Sequence, residues 1–165
     1  MEVVVKVKKL RPDAKIPRFG SADAACADLS ACLDYDFVSI APHTTRKIGT
    51  GLAMEIPRGY SGNIFARSGI SSDRYLRPGN CVGKIDSDYR GEIKVAVHND
   101  SDTTQIVEDG ERIAQIEIVE KIDTRYLESA DLSETERGDG GFGSSGTKEV
   151  KKKKKREQEP VYDEW

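Results

Sequence analysis

The sequence predicts an all-β sandwich or barrel with one short helix. Short apolar or alternating runs recur throughout the chain, turn residues separate them at close spacing, and helix-period patterns are almost absent. The runs are residues 3–7, 24–33, 37–40, 47–56, 62–66, 81–85, 92–98, 105–107 and 112–118. Between them stand turn signals such as Ala41-Pro42, Pro57-Arg58-Gly59, Arg77-Pro78-Gly79-Asn80 and Glu108-Asp109-Gly110. The clearest strand is 92–98, where Ile93, Val95 and Val97 alternate with Lys94, Ala96 and His98, the period of two that marks a half-buried strand. Only residues 67–76 read as a helix, and no repeat of solenoid length is present.

At 165 residues the chain holds one domain's worth of sequence, and 33% charged against 36% hydrophobic residues predicts a modest core with part of the chain unpacked. A net charge of -3 gives no global pull toward nucleic acid, so no direct nucleic-acid binding is expected from the core. Cysteine is present only at Cys26, Cys32 and Cys81, with no CxxC, and only His43 and His98 could assist a metal site. Neither a disulfide framework nor a zinc site is expected, and a reducing compartment fits. The apolar run in MEVVVKVKKL is too short for a signal peptide and nothing approaches a membrane span. A soluble intracellular protein, cytoplasmic or nuclear, without a membrane partner, is the expectation.

Composition changes after Leu132. Residues 1–132 are expected to form the β core. Residues 133–147 are polar and glycine-rich, with five glycines from Gly138 to Gly146, and cannot bury enough apolar surface to hold themselves, so a flexible arm is expected there. Residues 148–165 form a charged tail, expected to be disordered: KEVKKKKKR carries seven positive charges and one negative, and EQEPVYDEW carries four negative. A solvated tail, nuclear localisation and a polyanion contact all remain open for the lysine run.

The richest chemistry lies in residues 83–93, GKIDSDYRGEI, where two carboxylates, a tyrosine and an arginine sit between two glycines just before the best strand. A polar hairpin and a ligand loop both fit this stretch. The segment Gly138-Asp139-Gly140-Gly141-Phe142-Gly143 matches G-x-G-x-x-G, but no strand–helix unit surrounds it and only 22 residues follow, which excludes a dinucleotide fold and a kinase loop. Its chemistry still suits an oxyanion: Arg137 offers a guanidinium fork, Ser144 and Ser145 offer hydroxyls, and glycines such as Gly143 let amides approach closely. Phe142 is either a loose aromatic or a lid that stacks on a planar ligand. Arg67-Ser68-Gly69 can form a phosphate nest or a plain strand-to-helix cap, Gln115 is a polar residue between apolar Ile113 and Ile116, and Asp28 is a carboxylate among small residues.

Together and in order, AACADLSA, FARSGIS, NCVGKIDSDYRGEI, GERIAQIEI and RGDGGFGSSG resemble the five ordered motifs of the trimeric deoxyuridine triphosphate nucleotidohydrolases (dUTPases). The likeness runs from Val5 to Gly146, and its third and fifth motifs are highly specific. It implies a β jelly roll, a homotrimer with active sites at subunit boundaries, and closure of each site by the C-terminal arm of another subunit. It further implies Mg²⁺-dependent cleavage of dUTP to dUMP and pyrophosphate, which limits uracil in DNA and supplies dUMP for thymidylate synthesis. Asp86 would hold the attacking water, a role suited to a carboxylate that orients it by accepting a hydrogen bond. Tyr89 would pack under the deoxyribose and exclude a 2′-hydroxyl. Uracil would bind in the hairpin that includes Asn80, Gly83 and Ile85, largely through backbone groups. The phosphates would meet Arg67, Ser68, Gly69 and Gln115, and Asp28 would act near Mg²⁺ through water. From the arm, Arg137, Gly143, Ser144 and Ser145 would grip the γ-phosphate while Phe142 covers the base.

Cys26 stands where glycine is usual, Ala66 where proline is usual, and Lys84 where an apolar residue is usual. None removes a catalytic group, although Lys84 bears on the packing of the base hairpin. The rival readings are a dCTP deaminase-like enzyme, which lacks this combination of Asp86, Tyr89 and a Phe-bearing arm, and a nucleotide-sensing interaction protein that uses the lysine tail.

Overall fold

The computed structural model describes residues 2–141; Phe142, Gly143, Ser144, Ser145 and the lysine tail lie outside the described residues. The chain divides into two compact units, the first Met1–Thr124 and the second beginning at Arg125. Among the described residues no helix is long and apolar enough to cross a membrane.

The first unit is built from antiparallel strands in three sheets. One contains four strands in the order β1 (Lys6–Lys9), β5 (Thr45–Glu55), β9 (Glu92–Asn99) and β7 (Leu76–Pro78). A second contains five: β2 (Arg18–Phe19), β3 (Ala27–Ser30), β11 (Arg112–Glu120), β6 (Tyr60–Phe65) and β8 (Gly83–Ile85). The strands β4 (Phe37–Ile40) and β10 (Gln105–Glu108) pair by themselves. One short helix, α1 (Ser68–Arg74), follows β6. This is the expected all-β sandwich of the jelly-roll type.

The core is supplied by the inward residues of alternating strands: Leu29 on β3, Ile48 and Leu52 on β5, Ile93 and Val97 on β9, and Ile113 on β11 are all at or near complete burial. Each such side chain contributes about 1.5–3 kcal/mol relative to leaving it in water. Two buried polar groups are matched inside this core. Thr50 Oγ1 donates to the Ile93 carbonyl at 2.7 Å, and Asn99 Nδ2 donates to the carbonyls of Ile40 (3.0 Å) and Thr103 (2.8 Å).

The long strand β5 is broken in register between Gly49 and Ala53. Gly51 adopts φ +65°, and a Cβ there would lie 2.7 Å from Cys32 Sγ and 2.9 Å from Ala14 Cβ, so a side chain is excluded by both conformation and space. Its amide donates to the Glu92 Oε1 carboxylate oxygen at 3.0 Å, which closes the irregularity from the neighbouring strand.

Three boundaries differ from the sequence reading. The helix stops at Arg74 because Tyr75 takes the left-handed conformation (φ 55°) and its amide bonds the Ile70 carbonyl. Leu76–Pro78 then forms a strand, and its proline is tolerated because β7 is an edge strand of its sheet. The apolar run 81–85 contributes only Gly83–Ile85, since Cys81 lies in a turn at φ 61°.

Candidate active site

The candidate residues of the first unit fall into two groups. The first surrounds Asp28 on β3. Its register partner on β11 is Gln115, which in turn faces Phe65 on β6, so three neighbouring strands deliver one row. Arg67, immediately before α1, donates through Nε to Asp28 Oδ1 at 2.7 Å. Arg112, the first residue of β11, donates through Nη1 to Asp28 Oδ2 at 3.0 Å. One carboxylate therefore lies between two guanidiniums and leaves a net positive charge beside it. Ser68 and Gly69 form the first turn of α1, and Arg67 in an extended conformation (φ -85°, ψ 138°) provides no side-chain cap for their amides. Gln115 Nε2 donates to the Ala66 carbonyl at 2.8 Å. The chain thus uses the carbonyl of residue 66, which alanine supplies as well as proline.

The second group is built on the turn between β7 and β8. The Cys81 amide donates to Pro78 O (3.0 Å) and the Val82 amide to Asn80 O (2.7 Å), giving a tight turn around Asn80. Its stem is fastened to the core sheet: the Gly79 amide bonds Ala96 O at 2.7 Å. Because β8 is the last strand of its sheet, one edge of its backbone, Gly83 to Ile85, pairs with β6 and the other has no strand partner among the described residues. That edge is available to a planar base. Gly83 is buried, and a Cβ there would stand 3.2 Å from Ile64 Cβ and 3.6 Å from Asn80 Nδ2. Gly83→Ala is therefore expected to raise KM for the nucleotide by about tenfold, or roughly 1.4 kcal/mol, with a small drop in Tm; an unchanged KM would show that the turn is not a binding element.

Lys84 points away from that turn: its Nζ donates to Asn63 Oδ1 at 2.7 Å and Ser61 Oγ at 3.3 Å on β6. The lysine ties β8 to its neighbour. Asp86 follows β8 with its carboxylate exposed and without a hydrogen-bond or ion-pair partner among the described residues, and its carbonyl accepts the Tyr89 amide at 3.2 Å. Tyr89 is 45% exposed; its hydroxyl donates to the Glu92 carbonyl at 3.0 Å and its ring crosses Gly91, where any Cβ would collide with it. Asp86 and Tyr89 share a cleft of about 320 Å³ with Lys47, Lys84, Glu92 and Lys94. Arg90 is turned back on the loop, donating to the carbonyls of Ser87 (2.6 Å) and Tyr89 (3.0 Å), which is a structural role.

The two groups are not brought together within one chain. Asp28 and the strand that leads into Asp86 are separated by three ladder steps, β3 to β11 to β6 to β8, or about 14 Å. Along the strands, the Asp28 row meets Phe65 whereas Asp86 follows the Ile85–Gly62 pair, an offset of about 13 Å. A separation of about 19 Å exceeds the few ångströms between neighbouring phosphates of one triphosphate. In the second unit, Arg137 Nε donates to Gly140 O at 2.7 Å and the Gly138 amide meets Thr135 Oγ1 at 3.1 Å, a compact turn that exposes the remaining guanidinium donors.

Sequence reasoning missed Arg112 and a brace beneath the turn between β7 and β8. Arg112 lies in the same GERIAQ segment as Gln115, and the signal was its placement two residues before the buried Ala114, which pairs with Leu29 beside Asp28. In the brace, Arg77 on β7 binds Asp100 through Nε (2.6 Å) and Nη2 (3.0 Å), and His98 Nε2 lies 3.3 Å from the same carboxylate. The Arg77 hydrogen bond holds the Asp100 carboxyl below the usual carboxylate range, helped by the charges of Arg77, His98 and His43. A carboxyl lowered in the folded state contributes stability above its unfolded pKa, and that contribution disappears as pH falls through the folded value. Asp100→Asn should therefore lower Tm at pH 7, and the gap from the parent chain should close as pH drops below about 4. A gap unchanged down to pH 2 would contradict the assignment.

Fold and site together define a jelly-roll protein with a pair of guanidiniums and uncapped helix amides beside Asp28 and an edge strand ahead of Asp86. The chain belongs to the dUTPase family: the family model for dUTPase matches residues 12–146. It is 46% identical over 142 residues to a deoxyuridine 5'-triphosphate nucleotidohydrolase of Hydrogenobaculum sp. (strain Y04AAS1), covering 86% of this chain and 97% of the relative. It is 42% identical over 150 residues to the protein of that name from Escherichia phage T5, covering 88% of this chain and all of the relative. Among solved structures it superimposes on the Staphylococcus bacteriophage 80alpha dUTPase with dUPNHPP at a TM-score of 0.78 and 30% identity, covering 87% of this chain and 99% of that one.

Proposed function

We propose that this chain hydrolyses dUTP to dUMP and pyrophosphate, limiting uracil incorporation into DNA and supplying dUMP for thymidylate synthesis. The observation that carries the reading is the exposed carboxylate of Asp86, without a partner among the described residues, directly beyond the β8 edge and one turn before Tyr89. The base pairs with the free edge of β8, the deoxyribose lies on the Tyr89 ring, and Asp86 orients a water toward the α-phosphate. The new bond forms between the water oxygen and the α-phosphorus. The bond from that phosphorus to the bridging oxygen breaks, pyrophosphate leaves with its electron pair, and the water's protons pass to Asp86 and solvent.

The active assembly is a homotrimer. Its support is the separation of Asp86 from the Asp28 row, which one chain cannot close: one subunit supplies Asn80, Gly83, Ile85, Asp86 and Tyr89, and a neighbour supplies Arg67, Ser68, Gly69 and Gln115 to the phosphates. Residues from Arg137 onward, including Phe142, Gly143, Ser144 and Ser145, belong to an arm that covers the site of another subunit and excludes water when a triphosphate is present.

Mg²⁺ fits this arrangement as a substrate-borne ion. Among the described residues no cluster of three His, Cys, Asp or Glu could hold a metal, and both Asp28 oxygens already accept from guanidiniums. A carboxylate so engaged still has lone pairs to accept from a metal-bound water, the way Mg²⁺ is commonly held when phosphates supply its other oxygens. When bound there, the ion neutralises phosphate charge. The test is pyrophosphate release from dUTP, dCTP, dTTP and UTP with Mg²⁺. Turnover should strongly favour dUTP; equal turnover of all four, or none, overturns the proposal.

A further inference from the structure

A separate cleft of about 620 Å³ adjoins Asp28 and Arg112 and is walled by Lys9, Lys15 and Arg18. Its two acidic residues are already engaged. Asp13 pairs with Arg11 (3.1 Å), and Asp28 pairs with Arg67 and Arg112. Lys9, Lys15 and Arg18 have no carboxylate partner among the described residues, so three uncompensated cations face one concavity in a chain whose net charge is -3. The ammonium of Lys15 has a fixed place: it donates to Gly110 O at 2.9 Å and occupies the space that a Cβ on Gly110 would need. Gly110 itself stands at φ +71° in the β10–β11 turn. Arg18 lies on edge strand β2 directly opposite Asp28 in register, which makes the cleft continuous with the row that carries Gln115.

We propose that this cleft is a pyrophosphate site, distinct from the positions that hold the phosphates of the substrate. It receives the inorganic pyrophosphate released at the Asp28–Arg112 wall and leads it into solvent. The inference rests on the dUTP hydrolysis reading. A cluster of several cations matches an ion of three or more negative charges better than a monophosphate, and charge-assisted contacts are roughly twice as strong as neutral ones. Steering of this kind raises exchange rates where field lines are focused by a concave wall.

The experiment titrates inorganic pyrophosphate with Mg²⁺ into the full chain by calorimetry, and measures it in parallel as an inhibitor of dUTP turnover. Arg18→Ala and Lys15→Ala are each compared with the parent, and Lys15→Arg serves as the conservative control. Arg18 makes no side-chain hydrogen bond among the described residues, so its truncation removes charge without removing a fold contact. Pyrophosphate affinity is expected to fall about five- to tenfold in both alanine variants, with KM for dUTP changed less than about twofold and affinity kept in Lys15→Arg. Unchanged pyrophosphate affinity alongside normal turnover overturns the proposal. Equal losses for dUTP and pyrophosphate overturn it too, because the cleft would then be part of the substrate's own phosphate position. Absence of dUTP turnover in the parent would instead sink the hydrolysis reading, while the titration still reports on the cleft alone.

Discussion

Asp86→Asn is expected to lower kcat for dUTP by about a thousandfold while leaving dUTP binding within about threefold of the parent. The substitution keeps the shape of the side chain, removes its negative charge and replaces one acceptor oxygen with an NH2 donor that cannot accept a proton from the attacking water. Nothing in the fold depends on that carboxylate. It is exposed, it has no partner among the described residues, and the turn it starts is closed by its backbone carbonyl, which asparagine retains. A loss of that size corresponds to about 4 kcal/mol of transition-state stabilisation. Calorimetry with a non-hydrolysable analogue and steady-state pyrophosphate release separate the two effects. Retained turnover would remove Asp86 from the mechanism, and lost binding would make it a substrate anchor instead.

Mixing two inactive variants is expected to restore activity. Arg67→Met removes the guanidinium that bonds Asp28 Oδ1 and reaches the Arg112 carbonyl at 3.3 Å. Alone it should turn over dUTP at least about a hundredfold more slowly, as should Asp86→Asn. If each site takes Asp86 from one subunit and Arg67 from another, a random trimer of the two variants contains sites in which both residues are intact. At equal proportions such sites make up about one quarter of the total, so activity should rise to about that fraction of the parent after subunits are unfolded and refolded together. The single-chain alternative gives no recovery, because every chain then carries one damaged copy of a complete site. The separation of about 19 Å along β3, β11, β6 and β8 favours recovery.

Much of the fold was legible because the sequence obeys the period of two wherever one strand face is buried. Glu92–Asn99 shows this best, with Ile93, Val95 and Val97 all buried. What escaped was local conformation that hydrophobic pattern does not encode. Tyr75 and Cys81 take positive φ without being glycine, and these two residues shortened a helix, created β7 and cut the apolar run before β8. At the candidate site, Asp28, Arg67, Gln115, Asp86 and Tyr89 stood out from their motifs alone. Arg112 and the Arg77–Asp100 brace did not, since their meaning lies in cross-strand contacts far apart in the chain. Lys84 shows the reverse case: a residue suspect by comparison with its family proves to be a strand tie.

Glu92 serves two masters. Its carboxylate closes the break in β5 by accepting from Gly51, and its carbonyl holds the Tyr89 hydroxyl. Under mutation and selection these two duties cannot drift apart. A Cβ on Gly49 would strike the Glu92 carboxylate, and one on Gly51 would strike Cys32 and Ala14. A lineage that alters either glycine therefore disturbs the contact between Gly51 and the residue whose carbonyl holds the Tyr89 hydroxyl. Substitutions acquired for thermal robustness in β5 should therefore reappear in laboratory evolution as altered discrimination between deoxyribose and ribose, with compensating changes concentrated around Tyr89 and Gly91.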